Sequence, residues 1–149
     1  MNGWLLDTNV IAEISGARPD ANVERWIKSQ PEHLLFLSIL TVGEYNKGME
    51  HLPPGDKRRA PIRRGVAALE KRFSGRVLSL SNQIVVRWGA ISGEVKRLTG
   101  HSPSVIDTML AATAVEHDLY HATLNITQVM HSGAAVFNPW KDNPANFPL

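Results

Sequence analysis

The sequence predicts an α/β fold in which helices cover both faces of a central, mostly parallel sheet of about five short strands. Two observations predict this class. Short apolar runs lack the in-and-out alternation of a half-exposed strand, and helical segments separate them along the chain. Strands that are apolar on both faces and joined through helices form parallel sheets. The length of 149 residues suits one domain, because such a chain buries roughly 70% of its unfolded surface; we expect residues 1–149 to form it.

The first quarter of the chain predicts one strand and two helices. The apolar run Trp4 to Leu6 predicts a buried strand that ends at Asp7, and a helix begins near Thr8. Asp20, or the asparagine two residues later, can cap a second helix with apolar residues at helical spacing. Pro31 ends that helix, so the chain is free to return to the sheet.

The next segments predict a second strand and two further helices. Leu34 to Leu37 is a short apolar run that predicts a buried strand, and Ser38 can cap a helix that reaches about Met49. After a Pro-Pro-Gly break, a basic helix spans Asp56 to about Phe73, with an apolar stripe. Val77 to Leu80 is either a third short strand or a connector.

The strongest helical signal begins at Ser81 and ends at Gly100. Its apolar residues recur at steps of four and three over four turns: Ile84, Trp88, Ile91, Val95 and Leu98. Ser102 and Pro103 then open a helix with a cap and a first-turn proline. That helix reaches about Ala114 and is apolar on nearly every side, so we expect it in the core.

The last third predicts two more strands around a short helix. Leu119 to Thr123 reads as a strand, a short helix follows to about Met130, and Ala134 to Phe137 forms the final strand. The tail from 138 to 149 contains three prolines and little pattern. Right-handed crossovers bring the carboxyl ends of parallel strands to one edge of the sheet, where ligands bind.

The formal net charge of +2 is unevenly distributed along the chain. Eight of the sixteen basic residues lie between positions 57 and 76, where only Glu70 opposes them. This segment carries a positive field that attracts polyanions, although a solvated helix face is the ordinary alternative. Its candidate RNA-binding residues are Arg58, Arg59, Arg63 and Arg64.

Several classes of protein are excluded or disfavoured by what the sequence lacks. There is no cysteine, which excludes disulfides and thiolate metal sites. The start of the chain lacks the features of a signal peptide, and the most apolar stretch, Leu34 to Val42, is about half of what spans a bilayer, so we expect a cytoplasmic protein. No phosphate-loop, dinucleotide or serine-hydrolase motif is present. The six histidines show no metal-ligand spacing and are interpreted as surface or core fillers.

Three carboxylates stand in apolar settings: Asp7 after the first strand, Glu44 in the third helix and Asp107 in the core helix. A buried charge must be paired or must hold a cation, and neither aspartate has a Lys or Arg within five residues. Three carboxylates about 5 Å apart would repel one another by about 10 kcal/mol at an effective dielectric near 20. We therefore expect them to bind Mg²⁺ or Mn²⁺, which prefer oxygen ligands.

A site of this kind is typical of phosphodiester hydrolysis, in which a metal-bound water attacks and the cation stabilises the leaving oxygen. Neighbouring polar residues can orient the acids: Thr8, Asn9, Thr123 and Asn125. Each acid also has an ordinary alternative. Asp7 can be a helix cap, Glu44 a solvated helix residue, and Asp107 the partner of a structural hydrogen bond.

Four ordered blocks of sequence resemble those of the PIN-domain ribonucleases, specifically the VapC/FitB-type toxins of bacterial toxin–antitoxin pairs. The blocks are Leu5 to Ile11, Ser38 to Glu44, Asp107 to Ala114 and Ser132 to Trp140. The resemblance implies a PIN-like three-layer fold and an endoribonuclease dependent on Mg²⁺ or Mn²⁺. It also implies that the acidic metal ligands are Asp7, Glu44 and Asp107.

The same resemblance implies partners: a homodimer, and an antitoxin whose tail fills the active-site groove and through which the pair binds operator DNA. The sequence departs from the family pattern near its end, where Leu124 stands at an arginine position and Gln128 at an acidic one, so a fourth carboxylate is missing. Two alternatives stay open. One is a catalytically weak or silent binding module for antitoxin or DNA. The other is a phosphatase-like domain with Asp7 as phosphoacceptor, although position 9 is Asn rather than Asp.

Overall fold

Five short strands form the centre of the protein, which we describe over residues 1–149 of a computed structural model. They are β1 (Trp4–Leu6), β2 (Leu35–Ser38), β3 (Val77–Leu78), β4 (Tyr120–Ala122) and β5 (Val136–Phe137). The strands lie in the order β3-β2-β1-β4-β5, and every neighbouring pair is parallel. The predicted sheet of about five short parallel strands is therefore confirmed, and the segment near Val77 is a strand rather than a connector.

Seven α-helices connect and cover these strands. They are α1 (Thr8–Ile14), α2 (Ala21–Ser29), α3 (Ile39–Glu50), α4 (Arg59–Arg72), α5 (Asn82–Thr99), α6 (Val105–Glu116) and α7 (Ile126–Val129). Two single turns of 3-10 helix lie at Glu32–Leu34 and Pro144–Asn146. No helix is both long enough and apolar enough to cross a bilayer.

The register of the sheet aligns the carboxyl ends of its two central strands. In β1, Trp4 pairs with both Leu35 and Tyr120, and Leu6 pairs with Ala122. The backbone N–H of Asp7 extends this pairing by donating to the carbonyl of Ala122 at 2.9 Å. The residue after β1 and the residue after β4 therefore lie side by side at one edge of the sheet, which is called the carboxyl edge below.

An aromatic cluster fills the face of the sheet beneath α2 and the C-terminal tail. Its members are Trp4, Trp26, Tyr120, Phe137 and Phe147. Six of the seven ring pairs lie 4.8 to 5.3 Å apart between centroids, and three pairs are T-shaped, a geometry that aromatic rings prefer. The Tyr120 hydroxyl also donates to the carbonyl of Pro148 at 2.9 Å. The tail, which shows little pattern in the sequence, is therefore bound to the core.

The opposite face of the sheet packs against α5 and α6. Leu5 contacts Leu110 and Ala114, and the inward residues of α5 pack on Met109 of α6. Residues 108 to 114 are all buried, which confirms the predicted core helix. The predicted stripe of α5 is wrong at its last member, because Leu98 is 59% exposed and the buried part of the helix ends one turn earlier.

Two predicted helix starts are wrong for a local reason. The basic helix begins at Arg59 rather than Asp56, because the Asp56 carboxylate accepts the backbone N–H of Arg58 at 2.8 Å and closes a turn there. The core helix begins at Val105, since Ser104 is its cap and the Ser102–Pro103 pair lies before it. In both places a side-chain-to-backbone hydrogen bond sets the first residue of the helix: Asp56 closes a turn before α4, and Ser104 caps α6 by accepting the backbone N–H of Asp107.

Gly3 lets the chain enter β1 close to the neighbouring strand. Its φ angle is +148°, a backbone conformation that residues with a side chain rarely adopt. A Cβ atom at this position would collide with the carbonyl oxygen of Leu34. The approach of β1 to the segment leading into β2 therefore requires glycine.

Candidate active site

Asp7 is the central acid of the carboxyl edge, and only 3% of its surface is exposed. Its Oδ2 accepts a hydrogen bond from Thr123 Oγ1 at 2.9 Å and lies 3.2 Å from His121 Nε2, within hydrogen-bond distance. Its Oδ1 accepts only the backbone N–H of Asn9, at 3.4 Å. Asp7 does cap α1, as in the ordinary alternative, but His121 of β4 and Thr123, the residue after β4, also fix its carboxylate.

Thr123 connects the polar residues that surround Asp7. Its hydroxyl accepts the side-chain amide of Asn9 at 3.2 Å and the backbone N–H of Asn125 at 3.0 Å. Asn9 Oδ1 in turn accepts the backbone N–H of Leu124 at 3.2 Å. The structure therefore brings Asn9, Thr123 and Asn125 together beside Asp7.

Asp107 lies in the first turn of α6 and is half-buried. Its Oδ1 accepts the side-chain amide of Asn125 at 3.3 Å, so a continuous chain of hydrogen bonds leads from Asp107 through Asn125 and Thr123 to Asp7. Gln128, at the position where an acid was expected from the resemblance, accepts the backbone N–H of Ser104 at 3.3 Å with its side-chain oxygen. It supports the start of α6 and contributes no charge.

Glu44 reaches the same edge from α3 and is half-buried. Its Oε1 accepts the hydroxyl of Thr8 at 2.7 Å, and that hydroxyl also lies 2.9 Å from the hydroxyl of Thr41. Burial raises the pKa of the Tyr45 hydroxyl, and the charge of the adjacent Glu44 carboxylate raises it further. Tyr45 is therefore a neutral hydroxyl beside the acid at physiological pH.

The three carboxylates share one electrostatic property: none forms an ion pair with Lys or Arg, and only His121 faces Asp7. Half of the acidic side chains in the protein do have a cationic partner, for example Glu32 and Glu50. As the side chains stand, however, no group of three His, Asp or Glu residues is close enough to hold a metal ion. The fold brings the predicted acids to one edge without arranging them as a finished metal centre.

The donor atoms available at this edge nevertheless suit a hard cation. They are carboxylate, hydroxyl and amide oxygens, the ligands that Mg²⁺ and Mn²⁺ prefer. Asp7 is fixed by three hydrogen bonds. Glu44 and Asp107 are each half-buried and each held by a single side-chain hydrogen bond, so they retain freedom to turn toward a ligand. The residues therefore fit such an ion by chemistry, with Asp7 as the preorganised member.

Two cavities meet at Glu44. One, of about 480 Å³, runs between α1, α3 and α4, and includes Tyr45, Ile62 and Arg58 in its lining. The other, of about 470 Å³, runs toward α6 and includes Lys47 and Ile106. Half of the lining residues of each cavity are apolar. A groove therefore extends from each side of the acidic edge, and each groove contains one basic residue.

The four predicted RNA-binding arginines differ in their surroundings. Arg58 donates two hydrogen bonds to Asp56, at 3.1 and 2.7 Å, and this pairing lowers the pKa of that carboxyl group to about 2. Arg59 donates to Glu50 at 3.0 Å. Arg63 and Arg64 are exposed and form no ion pair, so half of the predicted set has an unneutralised charge.

The sequence interpretation missed His121, which is more than a core filler because it contacts Asp7 directly. It is completely buried, in the middle of β4, with apolar neighbours in the strand. The signal that could have found it is the one used for Asp107, a polar side chain inside an otherwise apolar element. Histidine is less conspicuous in this respect, since its neutral form is often buried.

Comparisons with known proteins extend over nearly the whole chain. Residues 4–127 match the model of the PIN domain family. The chain is 33% identical over 138 residues to Toxin FitB of Neisseria gonorrhoeae, covering 93% of this chain and 99% of that protein. It is 32% identical over 137 residues to VapC ribonuclease Y4jK of Sinorhizobium fredii, covering 92% and 97%. Among solved structures, FitAB bound to an IR36 DNA fragment has a chain that superposes with a TM-score of 0.82 at 31% identity, covering 94% of this chain and 97% of the other.

Proposed function

This chain belongs to the PIN-domain family, and from that premise we propose that it is a divalent-metal-dependent endoribonuclease and the toxin of a toxin–antitoxin pair. Its similarity to proteins named Toxin FitB and VapC ribonuclease Y4jK supports both parts of the proposal. We place its action on RNA in the cytoplasm. The observation that carries the proposal is the convergence of Asp7, Glu44 and Asp107 on one edge without a Lys or Arg partner.

Uncompensated carboxylates at a partly buried edge are costly to the folded protein. Each repels the others through a medium of lower dielectric than water, and none gains a Lys or Arg partner in return. A divalent cation would offset this repulsion and would use the same oxygen atoms. The edge is therefore explained better as a ligand site than as a contributor to the stability of the fold.

Each residue of the edge has a distinct proposed role. Asp7, Glu44 and Asp107 would hold Mg²⁺ or Mn²⁺, which when bound supplies an activated water and stabilises the leaving oxygen. Thr123 and Asn9 keep the Asp7 carboxylate in place. Asn125 holds Asp107 through its amide group and adds no charge.

The two cavities that meet at Glu44 support an RNA chain as the substrate. A polymer that crosses the acidic edge would have a neighbouring nucleotide on each side of the reacting phosphate. Each cavity combines apolar lining for a base with one basic residue: Lys47 on one side, and on the other Arg58, whose charge is paired with Asp56. Arg63 and Arg64, which are exposed on α4, extend the positive field that attracts phosphate groups. Cleavage within a chain is therefore favoured over release of terminal nucleotides.

The proposed protein partners are a second copy of the chain and an antitoxin, with operator DNA bound only through the antitoxin. The similarity to a chain in the structure of FitAB bound to DNA supports this assignment. Several large apolar side chains also lie on the surface, including Val86, Leu98 and Val105, which are 74%, 59% and 55% exposed. We propose that the partner proteins cover these side chains, since burial of apolar surface stabilises a complex.

The test is RNA cleavage by the variants Asp7→Asn and Asp107→Asn with added Mg²⁺ or Mn²⁺. We expect each variant to lose about 100-fold or more in cleavage rate, because each removes one charged ligand. A matched control is Asp118→Asn, since Asp118 lies at the opposite end of the sheet and its φ angle of 53° suits asparagine equally well. The proposed function would be wrong if both site variants cleaved RNA at the rate of the control.

A catalytically silent binding module is the second candidate. Two observations favour it: a fourth carboxylate is missing, and the acids as they stand do not surround a common metal position. Calorimetry with Mn²⁺ separates the candidates, because a binding module would take up no metal and cleave no RNA. A phosphoacceptor role for Asp7 is disfavoured by its burial and by the donors on both of its oxygens. Trapping a phosphoryl group on Asp7 would reinstate that role.

A further inference from the structure

His121 is a buried side chain at the carboxyl edge that the proposed function does not yet use. It is completely buried, and its only side-chain hydrogen bond joins Nε2 to Asp7 Oδ2 at 3.2 Å. We propose that His121 is a positioning residue that donates its Nε2–H to Asp7 Oδ2. With Thr123 it would fix the carboxylate and leave Oδ1 as the oxygen available to a metal ion. This inference rests on the proposed metal-dependent function.

The direction of the hydrogen bonds follows from the donors around Thr123. The Thr123 hydroxyl accepts N–H groups from Asn9 and from Asn125, so its single hydrogen points to Asp7 Oδ2. Asp7 Oδ2 is therefore an acceptor. An ionised carboxylate has no hydrogen to give, so the second contact of Oδ2 requires a donor as well. That donor is the Nε2–H of His121.

The other ring nitrogen of His121 supports the same assignment. Nδ1 is buried and has no hydrogen-bond partner. With the hydrogen on Nε2, the buried group without a partner is a lone pair. With the hydrogen on Nδ1, it would be an N–H donor, and buried donors without an acceptor are the rarer and more costly case. The tautomer with hydrogen on Nε2 is therefore favoured.

The contacts on the Asp7 carboxylate are unequal between its two oxygens. Oδ2 receives two side-chain donors, whereas Oδ1 receives one backbone N–H at the longer distance of 3.4 Å. Rotation of the carboxylate would break both bonds to Oδ2. His121 in β4 and Thr123 directly after it therefore hold one oxygen and leave the other less engaged.

Packing alone does not explain a histidine at this position. Its side chain lies in an apolar strand whose neighbour in β1 is Leu5, and an aliphatic residue would fill the space without leaving a polar nitrogen unpaired. The hydrogen bond to Asp7 compensates for the unpaired ring nitrogen. Hydrogen bonds that orient metal-binding side chains often change metal affinity by 10- to 100-fold when they are removed.

The test compares Mn²⁺ affinities of the full chain by calorimetry for His121→Leu and His121→Gln. Leucine removes the donor, whereas the amide nitrogen of glutamine is as many bonds from the backbone as Nε2. We expect leucine to weaken Mn²⁺ binding about tenfold and glutamine to stay within about threefold of the wild type. The matched control is His117→Leu, which removes an exposed histidine just after α6 and should leave the affinity unchanged.

Three outcomes would overturn the role of His121. One is a His121→Leu variant that binds Mn²⁺ as the wild type does, and another is a His121→Gln variant that weakens as much as the leucine variant. If the leucine variant does not fold, His121→Asn replaces it, because the amide nitrogen of asparagine is one bond too close to the backbone to reach Asp7. The third outcome is then an equal Mn²⁺ affinity of the asparagine and glutamine variants. In each case the proposal of a metal-dependent nuclease is unaffected, provided that Asp7→Asn abolishes Mn²⁺ binding. A wild-type protein that binds no Mn²⁺ would remove both proposals.

Discussion

Acidic side chains have opposite electrostatic surroundings at the two ends of the sheet. At the amino end, Glu32 accepts hydrogen bonds from Arg72 at 2.8 and 3.2 Å, and Arg76 lies 3.4 Å away. Both guanidinium groups lie about 5 Å from the centre of the Phe73 ring. At the carboxyl edge, Asp7 and Asp107 have no Lys or Arg partner. The chain neutralises its own charge at one end and leaves charge uncompensated at the other, where we propose that it binds a metal ion.

The same strands contribute to both ends. In β1, Trp4 belongs to the aromatic cluster and Asp7 follows the last residue of the strand; in β4, Tyr120 and Thr123 have the same relation. Three residues of a strand span about 10 Å. Along β1 and β4, the aromatic residue and the polar residue of the candidate site are therefore one short strand length apart. Phe137, at the end of β5, lies level with the carboxyl edge but belongs to the cluster on one face of the sheet. Variants of the aromatic cluster and variants of the acids should therefore have different effects.

The largest effect is expected from Phe137→Ala, which removes a completely buried ring from the aromatic cluster. We expect the free energy of unfolding to fall by about 3 to 5 kcal/mol, measured by urea denaturation. The control is Val86→Ala, at a 74% exposed position, with a change of less than about 0.5 kcal/mol. An unfolding free energy equal to that of the control would contradict the assignment of stability to this cluster.

A smaller effect is expected from metal ions at the carboxyl edge. Mn²⁺ at 100 times its dissociation constant should raise the free energy of unfolding by about 2.7 kcal/mol, because only the folded chain presents the site. The Asp107→Asn variant should lose this stabilisation, whereas Glu32→Gln should retain it. Denaturation with and without Mn²⁺ measures both. Equal stabilisation of the wild type and Asp107→Asn would show that the metal binds elsewhere.

The smallest effect is expected from Glu32→Gln at the amino end. The hydrogen bond from Arg72 lowers the pKa of Glu32 below its ordinary value of 4.5, so its charged form stabilises the fold. The contribution is present above pH 4.5 and is lost as the pH falls below that value toward the lowered pKa. Because the side chains are 49% and 41% exposed, we expect less than about 0.5 kcal/mol.

Denaturation at pH 7 and at low pH should therefore show a difference between wild type and Glu32→Gln only at the higher pH. Glu70→Gln is the matched control, because Glu70 is exposed on the neighbouring helix and forms no ion pair. A difference that grew as the pH fell would have the wrong sign for this interaction.

The parts of the fold that follow local patterns were predictable from the sequence. The unalternating apolar run Trp4 to Leu6 requires burial on both faces, which leads to a parallel sheet and places Asp7 at its carboxyl edge. The apolar helix around Asp107 could be placed in the core for the same reason. Convergence of the two acids on one edge then followed from the handedness of the crossovers.

The remaining features depend on contacts between distant residues or on single side-chain bonds. Phe147 packs against Tyr120 and Phe137 without any periodicity that marks it as a core residue. The start of α4 depends on one carboxylate, Asp56, which closes a turn. The partnership of His121 with Asp7 joins positions 114 residues apart, and neither residue type alone predicts the other.

Gly3 gives the candidate site a dependence on a residue at the far end of the molecule. Any side chain at this position would force β1 away from the carbonyl of Leu34, and Asp7 lies four residues further along the same segment. A genetic selection for alleles that have lost toxicity should therefore recover changes at Gly3 together with changes at the acids. Such alleles would disable the protein by shifting the backbone that carries Asp7, although they alter none of the groups that we propose to contact RNA or metal.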